Sequence, residues 1–228
     1  MRKIGILLIA TGRYDCFLEQ FITSARAHFI ECELHFFVFT DSQEWLTCDD
    51  NRVHTYYREH KPYPEPTLRR YEMFVSRQEE LSTMDYLYYC DVDMRFVDRA
   101  GEEILSDRVA VLHPGFVGSE GTPERNPASK ACIPHGSNSR YFAGGFNGGR
   151  SEEFLKMAKV LDANIKDDDS RGVTAVWVDE SHTNRYFHEN PPTAVLSPSY
   201  CYPESWDIPY KKILLALDKN HEQIRSDR

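Results

Sequence analysis

The sequence predicts an α/β fold in a single domain, on three observations. An apolar run at 3–10, a helical pattern and a second apolar run at 34–39 make a strand–helix–strand unit, which calls for a parallel pair. Further strand-length runs at 85–90 and 109–112 alternate with helical periodicity. No Pro/Gly/Ser-rich linker divides the 228 residues. Hydrophobic residues at 41% and charged residues at 28% lie close to ordinary globular usage and exclude a disordered or collagenous chain.

The first run, KIGILLIA, is Ile/Leu-rich and of strand length. After Thr11-Gly12-Arg13-Tyr14, Asp15 is suited to cap a helix, and Phe17, Phe21, Ala25 and Phe29 recur every four residues as its apolar face. The second strand ends at Thr40-Asp41-Ser42, and residues 53–57 suggest a third. Three prolines between 60 and 66 make a loop. Tyr71, Phe74, Val75 and Leu81 mark one helix running to about Ser82. DYLYYC at 85–90 reads as a buried strand and runs into Asp91-Val92-Asp93. After the short strand at 109–112, residues 113–140 are rich in Gly, Pro and Ser and predict a long functional loop. Phe154, Leu155, Ala158 and Leu161 mark a helix, followed by a charged turn at 166–170. A helix at 175–187 contains Trp177 and Glu180, and 194–196 forms a strand. From Tyr202 the chain reads as irregular, with one apolar run at 213–217.

A net charge of −9 with no cluster of Lys or Arg argues against a nucleic-acid partner. The six cysteines (Cys16, Cys32, Cys48, Cys90, Cys132, Cys201) form no CxxC pair and have no His at zinc-finger spacing. Scattered single cysteines suit a reducing compartment. Residues 1–10 are too short to span a membrane and carry no small-residue cleavage pattern, so they read as a strand and not a signal peptide. The expected location is the cytoplasm, with peripheral membrane association compatible with it.

The strongest chemical signal is the acid pair Asp91-x-Asp93 at a strand end. Ligands of open α/β sheets bind outside the carboxyl ends of strands. Two carboxylates there can share one hard cation with a diphosphate, although solvated turn aspartates would look the same. The glycines at 144, 145, 148 and 149 are either sites of close backbone approach or a wall that leaves room for a ligand. Trp177 beside Asp179 and Glu180 is either a sugar platform with carboxylates for hydroxyls or an exposed helix start. No P-loop is present, and the glycines do not follow the first strand as a dinucleotide fingerprint requires.

Eight runs in order resemble glycosyltransferase family 6, the family of the histo-blood-group A and B enzymes and the α-1,3-galactosyltransferase. They are FFVFTD (36–41), LRRYEM (68–73), DYLYYCDVDM (85–94), LHPGF (112–116), YFAGGFNGG (141–149), AVWVDESHTNRY (175–186), LSPSY (196–200) and DKNHEQIR (218–225). The chain looks like the short bacterial or phage members, which lack a stem and membrane anchor. The resemblance implies a GT-A fold, a Rossmann-like mixed sheet flanked by helices. A nucleotide half would cover about 1–95, an acceptor and catalytic half about 96–217, and a C-terminal lid 218–228. The implied reaction moves GalNAc or Gal from UDP to the 3-hydroxyl of a galactose, with retention. The acceptor would be an oligosaccharide or glycolipid ending in galactose, a fucosylated blood-group-H-like glycan among the candidates.

By the same resemblance, Ala10, Thr11 and Tyr14 would hold the uridine, and Asp91 and Asp93 an Mn²⁺ or Mg²⁺ ion, with Val92 near the ribose. Arg70 would contact the donor and Asp179 its hydroxyls. Lys219 and Arg225 would clamp the diphosphate. Ala143, Gly144 and Gly145 match the segment that selects the sugar, and Gly145 implies room for the acetamido group of GalNAc. His113, Thr122, Trp177 and Glu180 would line the acceptor pocket, with Glu180 as the catalytic carboxylate. Val178 stands where the blood-group enzymes have His, and Pro203 and Glu204 replace an acidic loop near their acceptor fucose. The segment at 121–127 also departs from theirs. Three other readings compete: a UDP-Gal-specific enzyme, a GT-A transferase of another donor class, and a non-catalytic sugar- or nucleotide-binding protein.

Overall fold

A computed structural model describes residues 1–137, 140–220, 222 and 224. The chain runs through β1 (Lys3–Ala10), α1 (Leu18–His28), β2 (Glu33–Thr40), α2 (Gln43–Leu46) and β3 (Val53–Tyr57). Three short helices follow, α3 (Glu65–Leu68), α4 (Arg70–Val75) and α5 (Gln78–Leu81), then β4 (Tyr86–Cys90), β5 (Met94–Phe96) and β6 (Arg108–Leu112). The remainder comprises β7 (Phe142–Arg150), α6 (Ser151–Ser170), α7 (Val178–Glu189), β8 (Ala194–Leu196), β9 (Tyr202–Pro203) and β10 (Leu214–Ala216).

Seven strands form one mixed sheet in the order β3-β2-β1-β4-β7-β6-β8. β7 is antiparallel to both neighbours, and every other pairing in the sheet is parallel. This is a GT-A-like architecture. After the exposed Lys3, the run at 4–10 carries no polar side chain because both faces of β1 are covered there. Ile4, Ile6 and Leu8 pack with α1 residues such as Phe21. Leu7 packs on the other side with Phe74 of α4 and with Phe154 and Leu161 of α6. A second sheet joins β5, β10 and β9.

Two features of this topology create a site. The chain leaves β1 for β2 and β3 on one side and returns to β4 on the other. The carboxyl ends of β1 and β4 therefore flank a switch point, where a crevice opens. Because β7 runs the opposite way, its first residues lie beside the end of β4, and the Asp91 N–H donates to the Gly145 carbonyl at 2.9 Å.

Several sequence expectations need correction. Asp15 does not cap α1. It lies in a 3₁₀ turn, Gly12–Phe17, and α1 starts at Leu18 without a side-chain cap. The turn forms because Gly12 takes φ +59° and its N–H donates to Asp41 Oδ1 at 2.8 Å. The single helix expected from about Tyr71 to Ser82 is two pieces, α4 and α5, and α3 begins within the expected loop at 60–66. Ser76 Oγ donates to the Met73 carbonyl, a local bond that competes with the helical ladder. Residues 166–170 are not a turn but the last turn of α6. Lys166 bridges Asp162 at 3.0 Å, and the helix stops at Gly172, whose φ of +67° suits a C-terminal cap. Trp177 precedes α7 instead of lying inside it. The segment after Tyr202 is not irregular throughout, since β9 and β10 build the second sheet. β7 was not anticipated, because glycine repeats give no strand signal.

Candidate active site

A cleft opens at the switch point. Thr11 and Tyr14 after β1, Arg70 of α4, and Asp91, Val92 and Asp93 after β4 all reach it. So do Gly144 and Gly145 of β7, Asp179 and Glu180 of α7, and Lys219 beyond β10. Ala10 and Ala143 do not line it. Both are buried in the sheet, and the Ala10 carbonyl accepts from Thr40 Oγ1 at 2.7 Å. Arg225 lies outside the described residues.

The floor is an ionic network around Arg70. Arg70 is 5% exposed, and its guanidinium is held from several sides. Its Nη1 lies 2.8 Å from Asp179 Oδ2, its Nη2 lies 3.4 Å from Asp91 Oδ1, and its Cζ sits 3.7 Å above the centre of the Tyr89 ring. Burial alone would pull Arg70 down, but the carboxylates of Asp179 and Asp91 outweigh it and fix the charge. Burial pushes the Asp179 carboxyl up to about 6, with Arg70 opposing and Asp91 adding to the rise. Tyr89 donates its hydroxyl to Asp91 Oδ1.

Asp93 is raised by burial and by the charge of Asp91, against the pull of Lys219, whose ammonium contacts Asp93 Oδ2. The second sheet explains this placement, since the Leu217 N–H donates to the Asp93 carbonyl at 3.1 Å and delivers the chain to the acids.

Glu180 is held at a fixed angle. The Tyr141 hydroxyl donates to its Oε1 at 2.7 Å and the Gly144 N–H to its Oε2 at 2.8 Å. Burial raises its carboxyl above the usual range, and these two donors oppose the rise. Val178, just before this acid pair, takes φ 49° while buried. A β-branched residue there stores strain on the order of 1–2 kcal/mol, so the backbone is forced as it turns Asp179 and Glu180 into the cleft.

The glycines resolve both readings of their run. A Cβ at Gly148 would lie 2.3 Å from the Leu87 carbonyl and one at Gly149 2.1 Å from that of Asp107, so these two allow close backbone approach. A Cβ at Gly144 would lie 3.2 Å from Glu180 Oε2, and one at Gly145 3.0 Å from Asp91 Oδ2. These two keep the carboxylates open to the cleft.

The remaining predicted residues stand on a second layer. Trp177 donates its indole N–H to Thr122 Oγ1 at 2.8 Å, and the His113 ring packs on Tyr141 at 5.7 Å. Burial lowers His113 and favours its neutral form. Neither His113, Thr122 nor Trp177 lines the cleft itself, but Tyr141 connects His113 to Glu180. Sequence reasoning missed Tyr89, Tyr141, His60, Lys61, Tyr63 and Thr67. The period-two spacing of Tyr89, Asp91 and Asp93 was a usable signal for the first. The loop residues gave none.

The profile of glycosyltransferase family 6 matches residues 2–226. The chain belongs to glycosyltransferase family 6. The histo-blood group ABO system transferase 1 of Rattus norvegicus is 37% identical over 98% of this chain and 68% of its own length. The globoside alpha-1,3-N-acetylgalactosaminyltransferase 1 of Gallus gallus is 30% identical over 98% of this chain and 69% of its own. The O-antigen biosynthesis glycosyltransferase WbnI of Escherichia coli is 27% identical and covers 96% of both chains. No helix among the described residues is long and apolar enough to cross a membrane.

Proposed function

We propose that this family 6 chain is a retaining transferase that moves GalNAc, in preference to Gal, from its UDP conjugate to the 3-hydroxyl of a galactose at the end of a glycan. One observation carries the reading. Gly144 lies beside the Glu180 carboxylate and its neighbour Gly145 beside Asp91, whose partner acid Asp93 meets Lys219, so a sugar diphosphate laid across the two glycines would have its anomeric carbon near the first and its phosphates near the second.

The donor set suits a divalent cation. Burial and the charge of Asp91 both favour a positive neighbour for Asp93, and the missing Cβ at Gly145 leaves the Asp91 Oδ2 side open. Among the described residues no cluster of three or more His, Cys, Asp or Glu could hold a metal alone. Two carboxylates plus substrate phosphate is the ordinary pattern for Mg²⁺ and resembles that for Mn²⁺. When bound, such an ion would neutralise charge on the departing diphosphate. Lys219 supplies a second positive charge to the same group, with Arg225 as its proposed companion. Thr11 and Tyr14 hold the nucleoside, and Arg70 orders Asp91 and Asp179. Asp179 receives donor hydroxyls. Glu180, fixed by two donors, faces the positive charge that builds at the anomeric carbon. Val92 and the 143–145 segment shape the donor side, with Ala10 and Ala143 acting from within the sheet. His113, Thr122 and Trp177 position the acceptor.

The test is a donor panel of UDP-GalNAc, UDP-Gal and UDP-Glc with a β-galactoside and Mn²⁺, read as UDP release and product linkage. Preferential α-1,3 transfer of GalNAc supports the reading. Binding of UDP-sugars without turnover would replace it with a sugar-nucleotide-binding role.

A further inference from the structure

Trp206 is one of two tryptophans held in solvent, 46% exposed against 48% for Trp177. It does not ride on a loose loop. The Trp206 N–H donates to the Pro203 carbonyl at 3.1 Å, and the Glu204 N–H to that of Ala216 at 2.9 Å. Glu204 Oε2 accepts from the Asp218 N–H at 3.0 Å and Oε1 meets Arg95 at 3.5 Å, while Ser205 Oγ donates to Asp218 at 3.3 Å. The turn is braced from both flanks, yet its largest apolar group faces water.

Its surroundings point to a ligand. At Gly115, the position of an ideal Cβ lies 3.5 Å from the His113 ring and 3.7 Å from Trp206 Cη2. His113 packs on Tyr141, and Tyr141 holds Glu180. The rings of Tyr141, His113 and Trp206 thus form a wall leading away from the reactive carboxylate. A sugar receiving the transfer would occupy the part nearest Glu180, leaving Trp206 beyond it. Pyranoses carry an apolar C–H face that an indole can cover, with polar groups at the rim. The acids flanking the indole, Glu204 and Asp207, disfavour an anionic ring.

We propose that Trp206 is the stacking platform for the second sugar of the acceptor, and that this sugar is a neutral pyranose. This rests on the transfer reading above and narrows its acceptor to a glycan of at least two rings. The test uses three two-ring acceptors (lactose, Gal-β1,3-GalNAc and Gal-β1,3-GlcNAc) against methyl β-galactoside. For the preferred two-ring acceptor, the ratio of its kcat/KM to that of the one-ring acceptor should fall about tenfold in Trp206→Ala. The fall should appear in KM, and Trp206→Tyr should retain most of the ratio. Saturation-transfer NMR with UDP and Mn²⁺ present gives a readout independent of turnover. Protons of the second ring should receive saturation from the wild type and lose it in Trp206→Ala. An unchanged ratio, or no second-ring contact with any of the three glycans, overturns the platform. Second-ring contact without transfer upholds it and counts against the transfer reading instead.

Discussion

Replacing Glu180 by Gln isolates charge from shape, and the structure says why the fold should survive it. The carboxylate accepts from Tyr141 at 2.7 Å and from Gly144 at 2.8 Å. A Gln keeps one acceptor oxygen, which must serve the Gly144 N–H because a backbone donor cannot reverse. The amide nitrogen then faces the Tyr141 hydroxyl, which can rotate and accept. Both contacts persist, so the stability cost should stay within about 1 kcal/mol, a melting shift of about 2–4 °C for a chain of this size. The loss of charge is felt only when the anomeric carbon becomes positive. We expect kcat to fall by about 10²–10⁴, or roughly 3–5 kcal/mol of transition-state stabilisation, with UDP affinity nearly unchanged. Initial rates at saturating acceptor, UDP titration calorimetry and thermal melts measure the three quantities. A fall confined to KM, or a kcat within tenfold of wild type, would refute a role for the charge at the reaction centre. The pH dependence has a definite sign. The ionised form is the active one, and burial raises this carboxyl above the ordinary range, so activity should drop with acidification earlier than for a free glutamate. Tyr141→Phe removes a donor to the ionised form and should move that acid limb to still higher pH.

Gly145→Ala should shift the kcat/KM ratio toward UDP-Gal by about 10–200-fold, the worth of one methyl in a pocket. Because the new Cβ would stand 3.0 Å from Asp91 Oδ2, Mn²⁺ affinity should weaken too, and wild-type preference for UDP-Gal would refute the size argument. Asp93→Asn replaces an anionic ligand by a neutral one and removes the partner of Lys219. Turnover should fall by orders of magnitude and Mn²⁺-dependent UDP binding should weaken, whereas full wild-type activity in EDTA would remove the metal from the reaction. Deleting residues 218–228 should lower kcat far more than the melting temperature, and hydrogen exchange at 218–220 should slow with UDP and metal together. Wild-type transfer by the truncated chain would dispose of the lid.

The sequence by itself determined the strands and their parallel start. Runs such as 3–10 and 85–90 must be buried on both faces, and that demand is local and readable. It also placed the acid pair at a strand end, because Asp91 and Asp93 follow the apolar run directly. The ordered runs of the whole chain carried the family, and with it the residues expected at the site. What it could not supply was the partner of each charge. Arg70 and Asp179 are far apart in the chain and meet only after α4 and α7 pack against the same face of the sheet. The direction of β7 was equally hidden, since glycines carry no side-chain periodicity. Only antiparallel pairing with β4 brings Gly144 to Glu180 and Gly145 to Asp91. The extension of α6 through Ser170 is also held by tertiary bonds that local propensity does not contain, from Ser129 Oγ and the Lys130 N–H to Asp168 and from Arg69 to Asp169. The second sheet, which brings Lys219 to Asp93, is built of strands of two and three residues. Strands so short exist because their neighbours bury them, and no window of sequence that small can announce it.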